Sequence, residues 1–137
     1  MKQSTDTLWT AITGGASITL AYLLGGLDNL VAAFAIFMVC DYITGIMAGA
    51  KDKQVSSRRA LKGLGKKAGM ITFVIVANQL DIITGNQNGF LRDAMLTFLI
   101  ATEGISIIEN LDRLGLKAPS FLAKVLEQIS EKGEDTK

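Results

Sequence analysis

Residues 36–67 read IFMVCDYITGIMAGAKDKQVSSRRALKGLGKK. An apolar run holds one carboxylate, Asp41, and then gives way to a block of cations. A water-soluble helix would place such an acid on a charged face, but the residues around Asp41 are apolar or small on every side. Between positions 51 and 67 there are seven Lys or Arg (Lys51, Lys53, Arg58, Arg59, Lys62, Lys66, Lys67) against one acid, Asp52. In a short loop joining two membrane spans, that bias holds the loop on the cytoplasmic side. The junction therefore predicts a membrane helix entering a cytoplasmic basic loop over 51–67.

The rest of the chain fits the same reading. A bilayer core of about 30 Å is crossed by roughly 20 helical residues. Four apolar segments of that order occur, over 7–27, 30–50, 68–85 and 90–108. The first has no charge between Asp6 and Asp28 and is rich in Gly, Thr and Ser. A secretory signal peptide has a more basic start and a shorter apolar core, so this segment is expected to belong to the mature protein. The Gly/Asn-rich TGNQNG after the third segment reads as a turn. The loop around it holds one Arg and two Asp, as suits the outer side, and four spans then put both termini in the cytoplasm. The fold expected is all-α: a single membrane domain of about four transmembrane helices, with a C-terminal amphipathic helix and tail over 118–137.

Asp41 makes the second segment hard to insert. Leu30, Val31, Phe34, Ile36, Phe37, Val39, Ile43 and Ile46 together favour insertion by about 2.4–4.8 kcal/mol, whereas a central Asp opposes it by about 2.5–3.5 kcal/mol. Such an acid must face protein or water. On a helix, Thr44, Gly45, Ala48 and Gly49 share its face. The acid thus lies on a small-residue stripe that permits close helix approach. The fourth segment repeats the pattern with Glu103, Ser106 and Asn110 on one side and Glu109 near the end. These nine residues are the expected helix–helix or pore-facing set. In the tail, Leu122, Val125, Leu126 and Ile129 form an apolar stripe opposite Lys124, Glu127, Gln128, Glu131 and Lys132, suited either to a protein partner or to headgroups.

Composition limits the alternatives. The 137 residues are one domain's worth of chain, 49% hydrophobic, with 14 Gly, one Pro and a mean hydropathy of +0.34. Net charge is only +1, and no aromatic residue is interleaved in the basic block, which argues against a nucleic-acid partner. There is no His, and the lone Cys40, placed in an apolar run, is expected to serve as a small core residue. No catalytic, metal-binding or cofactor-binding set is expected, and no cofactor. A small channel or transporter subunit with Asp41 on an ion path is the alternative that the intramembrane acid leaves open.

Three blocks carry a family likeness. The first is DYITGIMAGAK, with Asp41 and Gly45. The second is SSRRALKGLGKK, with Ser57, Lys62, Gly63, Leu64, Lys66 and Lys67. The third is EGISIIENLDRLGLKAPSFL, with Glu103, Ser106, Ile107, Glu109, Asn110, Gly115, Leu116 and Pro119. Over residues 27–126 the chain resembles the small phage holins of the toxin-secretion/phage-lysis holin family. It departs from their pattern at Thr102, where Asn is frequent, and at Lys117, where a first proline is common. The resemblance implies a non-enzymatic, homo-oligomeric protein of the bacterial cytoplasmic membrane. Its lesions would release an endolysin or, in some relatives, a toxin. It also implies that an antiholin is either a partner or the chain's own role.

Overall fold

A computed structural model describes residues 2–134. It contains five helices: α1 (Lys2–Leu24), α2 (Asn29–Lys51), α3 (Ser57–Thr84), α4 (Phe90–Arg113) and α5 (Ser120–Glu134). The first four are long and apolar enough to cross a membrane. The all-α expectation and the count of four spans both stand.

The helix ends have local causes. Asp28 caps α2 by accepting from Val31 N at 3.0 Å, and Ser56 caps α3 through Arg59 N at 3.3 Å. Gly85 ends α3 in the left-handed conformation (φ 72°) that L side chains avoid. The α4 N-terminus has no local side-chain cap. Asp81 of α3 takes that role from a distance, accepting from Leu91 N at 3.1 Å and Arg92 N at 2.8 Å.

One boundary corrects the sequence reading. The basic stretch is not a loop over 51–67, because α3 begins at Ser57 and only 52–56 connect it to α2. Ser56 starts the helix eleven residues before the cations end. At 28 residues α3 is about 42 Å long, roughly 12 Å more than a bilayer core, so its cationic turns reach into the headgroup layer.

Helix α4 is central, with α2, α3 and α5 packed around it. The core is thin: Val31 and Phe34 from α2, Met70 and Val74 from α3, Leu96 and Leu99 from α4. Most large apolar side chains point outward instead, among them Ile36, Val39, Ile43, Phe73, Val76 and Ile83. Water would not tolerate so much exposed hydrocarbon on a chain this small, whereas lipid does.

Helix α1 is an outlier, with no residue of its candidate span buried. Its attachment is confined to its C-terminal end. There Asn78 Nδ2 donates to Tyr22 O at 3.2 Å and Leu23 O at 3.1 Å, and Arg92 Nε donates to Leu24 O at 2.5 Å. Gly25 makes the approach possible. Its φ is +74°, and a Cβ there would come within 3.0 Å of the Asn78 and Arg92 side chains.

Helix α5 runs antiparallel along α4, with Leu126 against Gly104 and Gly133 against Phe98. Of the predicted apolar stripe, Leu126 is buried and Ile129 half-buried, while Leu122 and Val125 remain exposed. The helix packs on its own chain rather than extending away from it. Phe98 lies about 22 Å along α4 from Arg113, which is past the middle of the span. On the outer side of α5, Glu131 is exposed near that depth, and Glu127 is exposed about one turn nearer the basic end. If lipid covered Glu131, it would cost about 2.5–3.5 kcal/mol at the rate for an acid at a helix centre, and Glu127 would add to that. Burying Leu126 offsets about 1.5–3 kcal/mol at most. The docked helix needs water on its outer face.

Candidate functional site

The polar residues singled out in the apolar segments converge in one place. Asp41 of α2, Lys67 of α3, and Glu103 and Asn110 of α4 meet between the three helices. Lys67 Nζ donates to Asp41 Oδ2 at 2.8 Å and also to Glu103 Oε2. Asn110 Nδ2 donates to Asp41 Oδ1 at 3.1 Å and to Thr44 Oγ1 at 3.2 Å. Glu103 is 1% exposed, and its second oxygen is buried without a hydrogen-bond partner among the described residues. One ammonium thus serves two carboxylates. Buried charges persist only when paired in this way.

The small-residue stripe serves the same meeting point. A Cβ at Gly45 would lie 3.5 Å from Asn110 Nδ2, one at Gly49 3.6 Å from Val55, and Ala48 is fully buried. The stripe therefore packs within one chain, against α4 and the 52–56 connection. Glu109 is exposed, and Ser106 is half-buried and outside the hydrogen-bonded group.

Lys67 is the second correction. The sequence reading places it with the loop cations, yet it is 8% exposed and pairs with both acids. Periodicity carried a signal for this. Lys67, Met70, Val74, Asn78 and Asp81 follow one helical stripe, and all five are buried. The other cations stay outside: Lys51, Lys53, Arg58, Arg59, Lys62 and Lys66 are exposed at one end of the bundle. There Lys51 Nζ donates to Arg113 O at 2.7 Å, and Arg113 pairs with Asp52 at 2.5 Å, which ties the α2–α3 connection to the end of α4. A groove of about 360 Å³ opens beside them between α2 and α3, lined by Gly45, Gly49, Val55, Arg59, Gly63 and Lys66.

A second polar group, unanticipated from the sequence, occupies the opposite end. Arg92 is 5% exposed. Besides Leu24 O, its guanidinium reaches Asp28 Oδ2 and Asp93 Oδ1, each at 2.7 Å. The Arg92 hydrogen bond holds the Asp28 carboxyl below its usual range, aided by the backbone N–H of Val31. Since the folded-state value is the lower one, Asp28 stabilises the α1–α2 corner fully above about pH 4. That stabilisation is lost as pH falls through the folded-state value. Proteolysis of the 25–28 connection should accelerate below about pH 4, and Asp28→Asn should flatten that dependence.

Helices α2 to α4, the end of α1, the basic end and the acid–lysine–acid group lie within a stretch shared with a known family. The sequence pattern of the bacteriophage holin family matches residues 18–131. The chain belongs to that family. A Bacillus phage phi105 protein named "Probable holin" is 38% identical over 112 residues, covering 82% of each chain. An uncharacterized Listeria monocytogenes protein is 38% identical over 122 residues, covering 88% of this chain and 86% of its own. An uncharacterized Bacillus subtilis protein is 36% identical over 116 residues, covering 85% and 81%. No solved structure matches. Membership agrees with the resemblance read over 27–126 and makes this a membrane protein. Family and fold together support a holin role, and the family is one of non-enzymatic membrane proteins.

Proposed function

We propose that this holin-family chain oligomerises in the bacterial cytoplasmic membrane and opens lesions that release an endolysin, or in some settings a toxin, and so times host lysis. Its partners are the lipid bilayer, further copies of itself and, functionally, the released protein. An antiholin is a further candidate partner. The family match over 18–131 carries this reading. The architecture supports it. Exposed cations gather where α2 and α4 end and α3 begins, and Asp28, Asp81 and Asp93 gather at the other end. This charge division favours a cytoplasmic basic end and cytoplasmic termini. The buried triad keeps the acids off the lipid-facing surface, as a chain that first accumulates harmlessly requires.

Induction of the chain alone in bacterial cells should collapse the membrane potential and viability. Co-expression with an endolysin should then lyse the culture. Survival of cells expressing it alone, with delayed lysis by a second holin, would instead make it an antiholin. Ion flux that Asp41→Asn abolishes, without passage of a folded reporter protein, would make it a selective channel.

A further inference from the structure

The groove beside the basic end belongs to the charge division already described, and nothing around α1 shows what covers it. The docked position of α5 carries more. This helix lies against the middle of a membrane-spanning helix, and its outward residues Glu127, Gln128 and Glu131 are exposed. Hydrocarbon cannot be what they face. At the α4·α5 crossing the backbones come close: a Cβ on Gly104 would fall within 3.1 Å of both Leu126 of α5 and Phe37 of α2, and one on Gly133 would lie 2.9 Å from Phe98 Cβ. Two glycines, one on each helix, thus seat α5 deep along α4 rather than at its end. Its charge pattern is mixed, with Lys124 and Lys132 beside the acids. The exposed apolar residues Phe121, Leu122 and Val125 lie in its first half, so the polar part of the outer face is the second half, from Glu127 onward, without strong selection for either sign of ion.

We infer that α5, docked on α4, forms the hydrophilic wall of the water-filled space in the assembled lesion. This rests on the lesion-forming function proposed above and adds which surface meets the water. Helices α1 and α2 offer few charges along their spans, and α3 carries its exposed cations in its first three turns at the basic end; the outward apolar side chains of all three meet lipid. Helix α5 supplies the wet face that those spans lack.

The test uses the full chain with its single cysteine replaced (Cys40→Ala), reconstituted in vesicles of phosphatidylethanolamine and phosphatidylglycerol loaded with a fluorescent dextran. Phe98→Cys with Gly133→Cys locks α5 onto α4 on oxidation. Dextran release by the locked chain should stay within about twofold of its reduced form, because docking is the working state. In a third variant of the locked chain, Gln128→Cys is oxidised with it and then reacted with a membrane-impermeant maleimide. Position 128 should label at least about tenfold faster than Ile36→Cys on the lipid-facing side of α2, since a thiol in hydrocarbon forms little thiolate. Single-cysteine Gln128→Cys without the lock gives the same comparison should the disulfide perturb folding. Loss of release on locking, or labelling at 128 as slow as at 36, overturns the assignment. Failure of the unlocked Cys40→Ala parent to release dextran overturns the lesion-forming function itself, and the wall with it.

Discussion

Lys67→Met is expected to destabilise the α2–α3–α4 bundle by about 3–5 kcal/mol, because it strands the buried Glu103 carboxylate and the partly buried Asp41 carboxylate without a cation. Asp41 and Glu103 are held by the same ammonium, and Glu103 already has one oxygen without a partner among the described residues. Asn110 can donate to Asp41 but reaches Glu103 by no bond among the described residues. Unfolding by denaturant in detergent micelles measures the effect, with Lys62→Met as reference, since Lys62 is exposed and in no ion pair among the described residues. Removing all three charges together (Lys67→Met, Asp41→Asn, Glu103→Gln) should recover most of the loss, to within about 1–2 kcal/mol of the parent, since a neutral set has no charge left to desolvate. Equal stability of the Lys67 and Lys62 variants would show that the triad does not hold the bundle together.

Arg92→Leu should detach α1, with a loss of about 2–3 kcal/mol at the α1–α2 corner, in the range of a charge-assisted hydrogen bond left unmade. Helix α1 has no buried residue in its span, so nothing along its length compensates for a weakened C-terminal end. The guanidinium joins the last carbonyl of α1 through Nε, and the cap of α2 and the first turn of α4 through Nη1. Arg92→Lys should not rescue it, because one ammonium lacks that planar fork. Proteolysis of the 25–28 connection reads the attachment without replacing Asn78, which itself holds the end of α1. The cleavage rate should rise at least about tenfold in Arg92→Leu, consistent with that energy. An unchanged rate would assign the corner to Asn78, Gly25 and the local backbone.

Much of the architecture was legible from residue order. Segment two was predicted over 30–50, and α2 runs over Asn29–Lys51, because Asp28 provides a cap and Asp52 follows the end. Segment three was misjudged at its start. Hydropathy rises only at Ala68, but a helix needs backbone hydrogen bonds rather than apolar side chains, and Ser56 supplies a cap well upstream. The site was half legible. Asp41, Glu103 and Asn110 stood out because polar groups in an apolar segment are costly. Lys67 did not, because it ends a run of cations that seemed sufficient to explain it.

Composition and order along the chain determined the solvent, the helical class, the number of spans and the charge division between the two ends. Each of these is a sum over neighbouring residues, so no distant contact is needed to evaluate it. Only the tertiary structure decided that Lys67 neutralises acids 26 and 36 positions away, that Arg92 fastens α1, and that α5 folds back along α4. Those pairings depend on which helix faces meet and at what depth. Several faces of each helix are apolar enough to qualify, so periodicity alone ranks none of them above the rest.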